Sequence, residues 1–70
     1  MLRNKLKEAR KKTGLTQVEV AEKAKISERA YQYYESGERL PDVLTALIIA
    51  DILNSTVEEL FPLYDSTKEK

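Results

Sequence analysis

LTQVEVAEKAKISERAYQYYESG, from Leu15 to Gly37, is the stretch that decides the fold. Thr16 stands where a helix should begin. Glu19, three residues on, completes a T-x-x-E pattern in which side chains satisfy the free N–H groups of a helix start. Val20, Ala21 and Ala24 then fall on one helical face. Lys25-Ile26 makes a turn, and Ser27 caps a second helix whose Ala30, Tyr31 and Tyr34 form its inner face. Ser36-Gly37 closes it, since glycine adopts the left-handed helix-ending conformation at little cost. Two short helices therefore meet across a turn of about four residues.

Outward from this unit the pattern stays helical. Leu2, Leu6, Ala9 and Thr13 predict a helix over about residues 2–13, with Lys11 and Lys12 suiting its C-terminal dipole and Gly14 at its end. Pro41 blocks continuation of the third helix, and a fourth is expected over residues 42–53. Thr56 and Glu59 repeat the T-x-x-E pattern and open a short fifth helix through Phe61, which Pro62 stops. Residues 1–62 thus read as one domain and 63–70 as a polar tail. No alternating strand pattern appears. The expectation is an all-α, compact five-helix bundle built around a helix-turn-helix, a unit that lays its second helix in the major groove of double-stranded DNA.

Composition narrows the function. Seventy residues make one small domain, 41% hydrophobic and 34% charged. With no cysteine there is neither a disulfide framework nor a thiolate metal site, and with no histidine the commonest general base and metal ligand is missing. No phosphate-cradling glycine loop or convergent carboxylate pair appears, so an enzyme is not expected, nor a cofactor, metal or small-molecule ligand. No apolar run could span a membrane, and the N-terminus is too polar for a signal peptide, so a soluble cytoplasmic protein is the default. Net charge is zero but unevenly spread. Residues 1–40 carry ten basic and six acidic side chains, and residues 41–70 carry two and six. Such a split orients a molecule on a polyanion.

With these residues in place, the chain resembles the Xre/Cro family of phage-repressor-type regulators. The resemblance covers roughly Leu6 to Phe61. It rests on L-T-Q at Leu15 to Gln17, A-E-K-A at Ala21 to Ala24, I-S at Ile26-Ser27, Y-E-S-G at Tyr34 to Gly37, and Pro41. Ile49-Ala50-Asp51, Leu53 and E-E-L-F at Glu58 to Phe61 follow in order. It implies a lambda-repressor-like DNA-binding domain. Three positions depart from the family pattern. Lys25 stands where a turn glycine is usual, and a non-glycine residue there must accept a positive φ at roughly 1 kcal/mol. Glu38 stands where a phosphate-facing lysine is common, and Glu28 is a second acid on the expected contact surface.

The outward face of the second helix of the motif carries Glu28, Arg29, Gln32 and Tyr33, the candidate base contacts. Arginine can bridge guanine O6 and N7, glutamine can read adenine, glutamate can accept from cytosine N4, and tyrosine can pack on a thymine methyl. Thr16, Gln17, Ser27 and Arg39 are the candidate phosphate contacts. Gln17 leads them, since its amide sits beside the free N–H groups of a helix start. The resemblance adds that a glutamine here anchors the helix to the DNA backbone. Arg10 and Glu35 lie on the inward edges of their helices, where charges need partners. The resemblance implies that they pair across the core, a structural role.

Helix 4 has more apolar residues than one face needs. Val43, Ala46, Leu47, Ala50 and Leu53 make the expected core stripe. Leu44, Ile48 and Ile52 make a second, expected with Leu63 or Tyr64 to form a homodimer interface; otherwise helix 5 and the tail fold over it. The expected function is a sequence-specific DNA-binding transcriptional regulator, a repressor acting as a homodimer on a two-fold operator. The alternative is an antitoxin-like module of the same fold that binds a different protein partner.

Overall fold

The structure, a computed structural model, describes residues 4–62. Its elements are α1 (Leu6–Thr13), α2 (Gln17–Ala24), α3 (Glu28–Ser36), α4 (Val43–Ile52) and α5 (Val57–Leu60), with no strand among the described residues. Each helix sends side chains into one core: Leu6 from α1, Val20, Ala21 and Ala24 from α2, Tyr31 from α3, Ile49 and Ala50 from α4, and Leu60 from α5, with Leu53 just beyond α4. α2 packs against both α3 and α4, and the small side chains of Ala21 and Ala24 suit it to that central place.

The caps lie where the sequence puts them. Thr16 and Glu19 form the full reciprocal box: the Thr16 hydroxyl accepts from the Glu19 N–H at 3.1 Å, and the Glu19 carboxylate accepts from the Thr16 N–H at 2.8 Å. Ser27 accepts from the Ala30 N–H at 3.0 Å, and Asp42 from the Thr45 N–H at 2.7 Å. The Asp42 bond comes from the backbone and holds that carboxyl below its ordinary value. The second box is only half formed. Thr56 accepts from the Glu59 N–H, but the Glu59 carboxylate turns to the Ser55 hydroxyl at 2.9 Å.

Lys25 ends α2 with φ 62°, as the missing glycine required. The Ile26 N–H reaches back to the Ala21 carbonyl at 3.0 Å, closing the helix as a Schellman turn. A left-handed non-glycine residue costs about 1–2 kcal/mol, while the greater unfolded-state freedom of a glycine costs about 0.4–1 kcal/mol. Lys25→Gly should therefore stabilise the domain by about 0.5–1 kcal/mol and raise its melting temperature by a few degrees. A variant that melts at or below the parent would show that Lys25 is not strained.

Two expectations are corrected. The first helix starts at Leu6, not near residue 2: Asn4 and Lys5 are not helical. The Asn4 side-chain oxygen takes the Leu6 N–H at 3.0 Å, its amide donates to the Tyr34 carbonyl at 3.0 Å, and the Lys5 N–H donates to the Leu60 carbonyl at 2.9 Å. Tertiary partners thus draw this segment out of the helix. The second correction is the rotation of α4. Val43 and Leu47, expected inside, are 77% and 54% exposed, and the buried stripe is Ala46, Ile49, Ala50 and Leu53. Ile52, expected outside, is partly buried against the core. Nearly every position of α4 is apolar, so periodicity cannot choose its face. Packing chooses the one whose alanines let α4 approach α2 closely.

Candidate nucleic-acid interface

The outward face of α3 presents Glu28, Arg29 and Gln32, all exposed. Tyr33 is half-buried, and the Arg39 guanidinium lies 5.0 Å from the centre of its ring. Such a cation–π contact is worth about 0.5–1 kcal/mol at an exposed site. It ties the loop after α3 to the helix, so Arg39 is held beside the candidate base contacts. The Arg39 N–H also donates to the Tyr33 carbonyl at 3.3 Å.

Behind this face sits the Glu35 carboxylate, with side-chain exposure of only 7%. It accepts from Arg10 Nε at 2.8 Å and Nη2 at 3.4 Å, from the Tyr31 hydroxyl at 3.0 Å, and from Gln17 Nε2 at 2.7 Å. Arg10 also donates Nη1 to the Leu15 carbonyl at 3.0 Å, so one side chain ties α1, the loop before α2, and α3 together. Burial alone would push the Glu35 carboxyl up. The hydrogen bonds from Arg10, Gln17 and Tyr31 outweigh it and hold the group below its ordinary value. The hydrogen bond to Glu35 raises Arg10, and burial, reinforced by the Glu35 charge, raises the Tyr31 hydroxyl. The expected Arg10–Glu35 pair is present and is the one ion pair among the described residues.

Sequence reasoning did not place Gln17 or the Tyr31 hydroxyl in this cluster. From sequence, Gln17 stands out for its position at a helix start and Tyr31 for its apolar ring. Both share the inward edge with Glu35, and an acid there needs more than one donor. At the surface, Gln17 Oε1 accepts from Gln32 Nε2 at 3.4 Å, and the same nitrogen donates to Glu28 Oε2 at 3.3 Å. The start of α2 and the middle of α3 are thereby joined. Of the other candidate phosphate contacts, Thr16 has its N–H committed to Glu19, and Ser27 has its oxygen committed to the Ala30 N–H. Both hydroxyl hydrogens remain able to donate to a phosphate.

The remaining candidates lie on α4. Leu44 is 68% exposed and Ile48 37%, while Ile52 belongs to the core side. Leu63 and Tyr64 lie outside the described residues. Leu40, Val43, Leu47, Val57 and Phe61 wall an apolar groove of about 280 Å³ between α4 and α5. Among the described residues no helix is long and apolar enough to cross a membrane.

Comparison with known proteins agrees with this geometry. The family described as helix-turn-helix matches residues 6–60. The chain is 40% identical over 60 residues to YqaE of Bacillus subtilis, an uncharacterised HTH-type transcriptional regulator, covering 86% of this chain and 52% of that protein. It is 37% identical over 59 residues to RstR of Vibrio cholerae, the transcriptional repressor of cryptic phage CTXphi, covering 84% and 53%. It is 33% identical over 60 residues to an uncharacterised HTH-type transcriptional regulator of Archaeoglobus fulgidus, covering 86% of each. The chain thus spans about half the length of the first two and most of the third.

Proposed function

The chain belongs to the Xre-type helix-turn-helix family of transcriptional regulators, and we propose that it is a repressor that binds a two-fold operator as a homodimer, with α3 in the major groove. The observation that carries this reading is the join between Gln17 and Gln32. Gln17, the candidate phosphate contact at the start of α2, thereby lies beside Gln32, a candidate base contact on α3. Phosphate contacts set register while base contacts choose sequence, and a reader needs the two on one surface. Arg29 supplies the planar donor pair that matches guanine. The repressor role of RstR supports repression by occupying a promoter.

Arg29→Ala should cost about 1–3 kcal/mol at the specific site and relax preference at one base pair, whereas Gln17→Ala should weaken binding to every sequence through the lost backbone contact and leave the Arg29 preference in place. Operator affinity measured by titration decides it: an unchanged affinity for Arg29→Ala removes that residue from the reading surface. The exposed acids Glu28 and Glu38, together with the zero net charge, favour a second reading in which a different protein is the main partner. That reading predicts no selection of sequence from random DNA.

A further inference from the structure

The amides of Gln17 and Gln32 form a chain whose direction is set from inside the protein. Glu35 is paired with Arg10 and can only accept, so Gln17 must turn its nitrogen inward, 2.7 Å from Glu35 Oε1. That leaves Gln17 Oε1 facing out, 3.4 Å from the side-chain nitrogen of Gln32. The same nitrogen lies 3.3 Å from Glu28 Oε2, another obligate acceptor. Reversing the Gln32 amide would set its oxygen against two oxygens. Both of its N–H groups are therefore drawn to Gln17 and Glu28, and its oxygen is left uncommitted on an exposed side chain.

We propose that Gln32 reads its base as an acceptor only, selecting an exocyclic amino group, adenine N6 or cytosine N4. This rests on α3 being the base-reading helix. A free glutamine singles out adenine by accepting from N6 while donating to N7. Gln32 can donate to N7 only by giving up Gln17 or Glu28. Guanine and thymine present acceptors at this edge of the major groove and face the Gln32 oxygen unfavourably. The Arg10–Glu35 pair, a structural feature of the core, thereby acts through Gln17 on which bases the surface accepts.

Selection of bound sequences from random double-stranded DNA tests this with the wild-type protein, Gln32→Ala, Glu28→Ala and Arg29→Ala. The wild type should accept adenine and cytosine at similar frequency at one base pair of each half-site. Gln32→Ala should lose that preference and no other. Glu28→Ala frees one N–H of Gln32 and should shift the position towards adenine, by about tenfold over cytosine. All three side chains are exposed, and circular dichroism checks that each variant is folded. A wild-type preference for adenine alone, or for guanine or thymine, at the Gln32-dependent pair would overturn the proposal. So would Gln32→Ala with unchanged preferences. If Arg29→Ala still relaxes its own base pair, the α3 reading survives that failure; if no variant alters selection, or nothing is selected, both fall. In the free protein, the side-chain amide resonance lost in Gln32→Ala should also move in Gln17→Ala, and an unmoved resonance would break the chain.

Discussion

Glu35→Ala is expected to cost about 3 kcal/mol, several times what a surface ion pair is worth. The change leaves the Arg10 guanidinium, at 13% side-chain exposure, with its charge unpaired and only the Leu15 carbonyl to accept from it, and strips the acceptor from a buried tyrosine hydroxyl and an inward-turned amide. Removing one member of a paired, shielded charge costs more than the pair contributes, because the survivor is stranded. Small domains have about 5 kcal/mol to lose, so the variant should keep only about 2 kcal/mol of stability and melt far below the parent. Urea unfolding of Arg10→Ala, Glu35→Ala and the double variant measures the coupling. The double variant should cost clearly less than the sum of the singles, and simple additivity would refute the cluster as one unit. Acid gives the same test without mutation. The Glu35 carboxyl is held below its ordinary value of 4.5, so its contribution is complete above that pH and is lost as pH falls through the folded value. Stability should therefore decline below about pH 4.5, and Glu35→Gln should flatten that decline.

The helix-turn-helix itself was legible because each of its boundaries has a local cause. Thr16 with Glu19, Ser27 and Gly37 act within a few residues of where they stand, and the structure has each at its expected helix end. Even the strained Lys25 was visible as the residue occupying a glycine position. What sequence could not give is the outcome of competition between partners far apart in the chain. Asn4 leaves the first helix for the Tyr34 carbonyl, thirty residues on. Glu59 leaves its box for Ser55, a choice between two donors of similar strength. Gln17 reads as a phosphate ligand from its position, yet one side of its amide is committed to Glu35. In α4 the signal was absent, since a helix apolar on every side has no preferred face until α2 is packed against it. The candidate base contacts were nameable from their helix face, but the direction of the Gln32 amide required the buried carboxylate two hydrogen bonds away.

That rotation of α4 moves the expected dimer surface. The outward residues are now Leu40, Val43, Leu44 and Leu47, each more than half exposed, with Ile48 at their edge. An apolar surface of this kind suits association, and apart from Leu40 it lies at the start of the acidic half of the chain. A second copy related by a two-fold axis is the occupant that suits operator binding, because one α3 reads too few base pairs to find a site and two can be set about 34 Å apart, one turn of DNA. Leu47→Lys and Leu44→Lys should each leave the domain folded, since both side chains already face solvent, but place a charge in the contact. Sedimentation should then give monomers. Operator affinity should fall by about 10²–10⁴-fold, the gain that linking two half-site contacts confers, while binding of an isolated half-site stays unchanged. If the wild-type protein sediments as a monomer well above the concentration at which it fills the operator, α4 is not the dimer surface and a different protein is the occupant to seek.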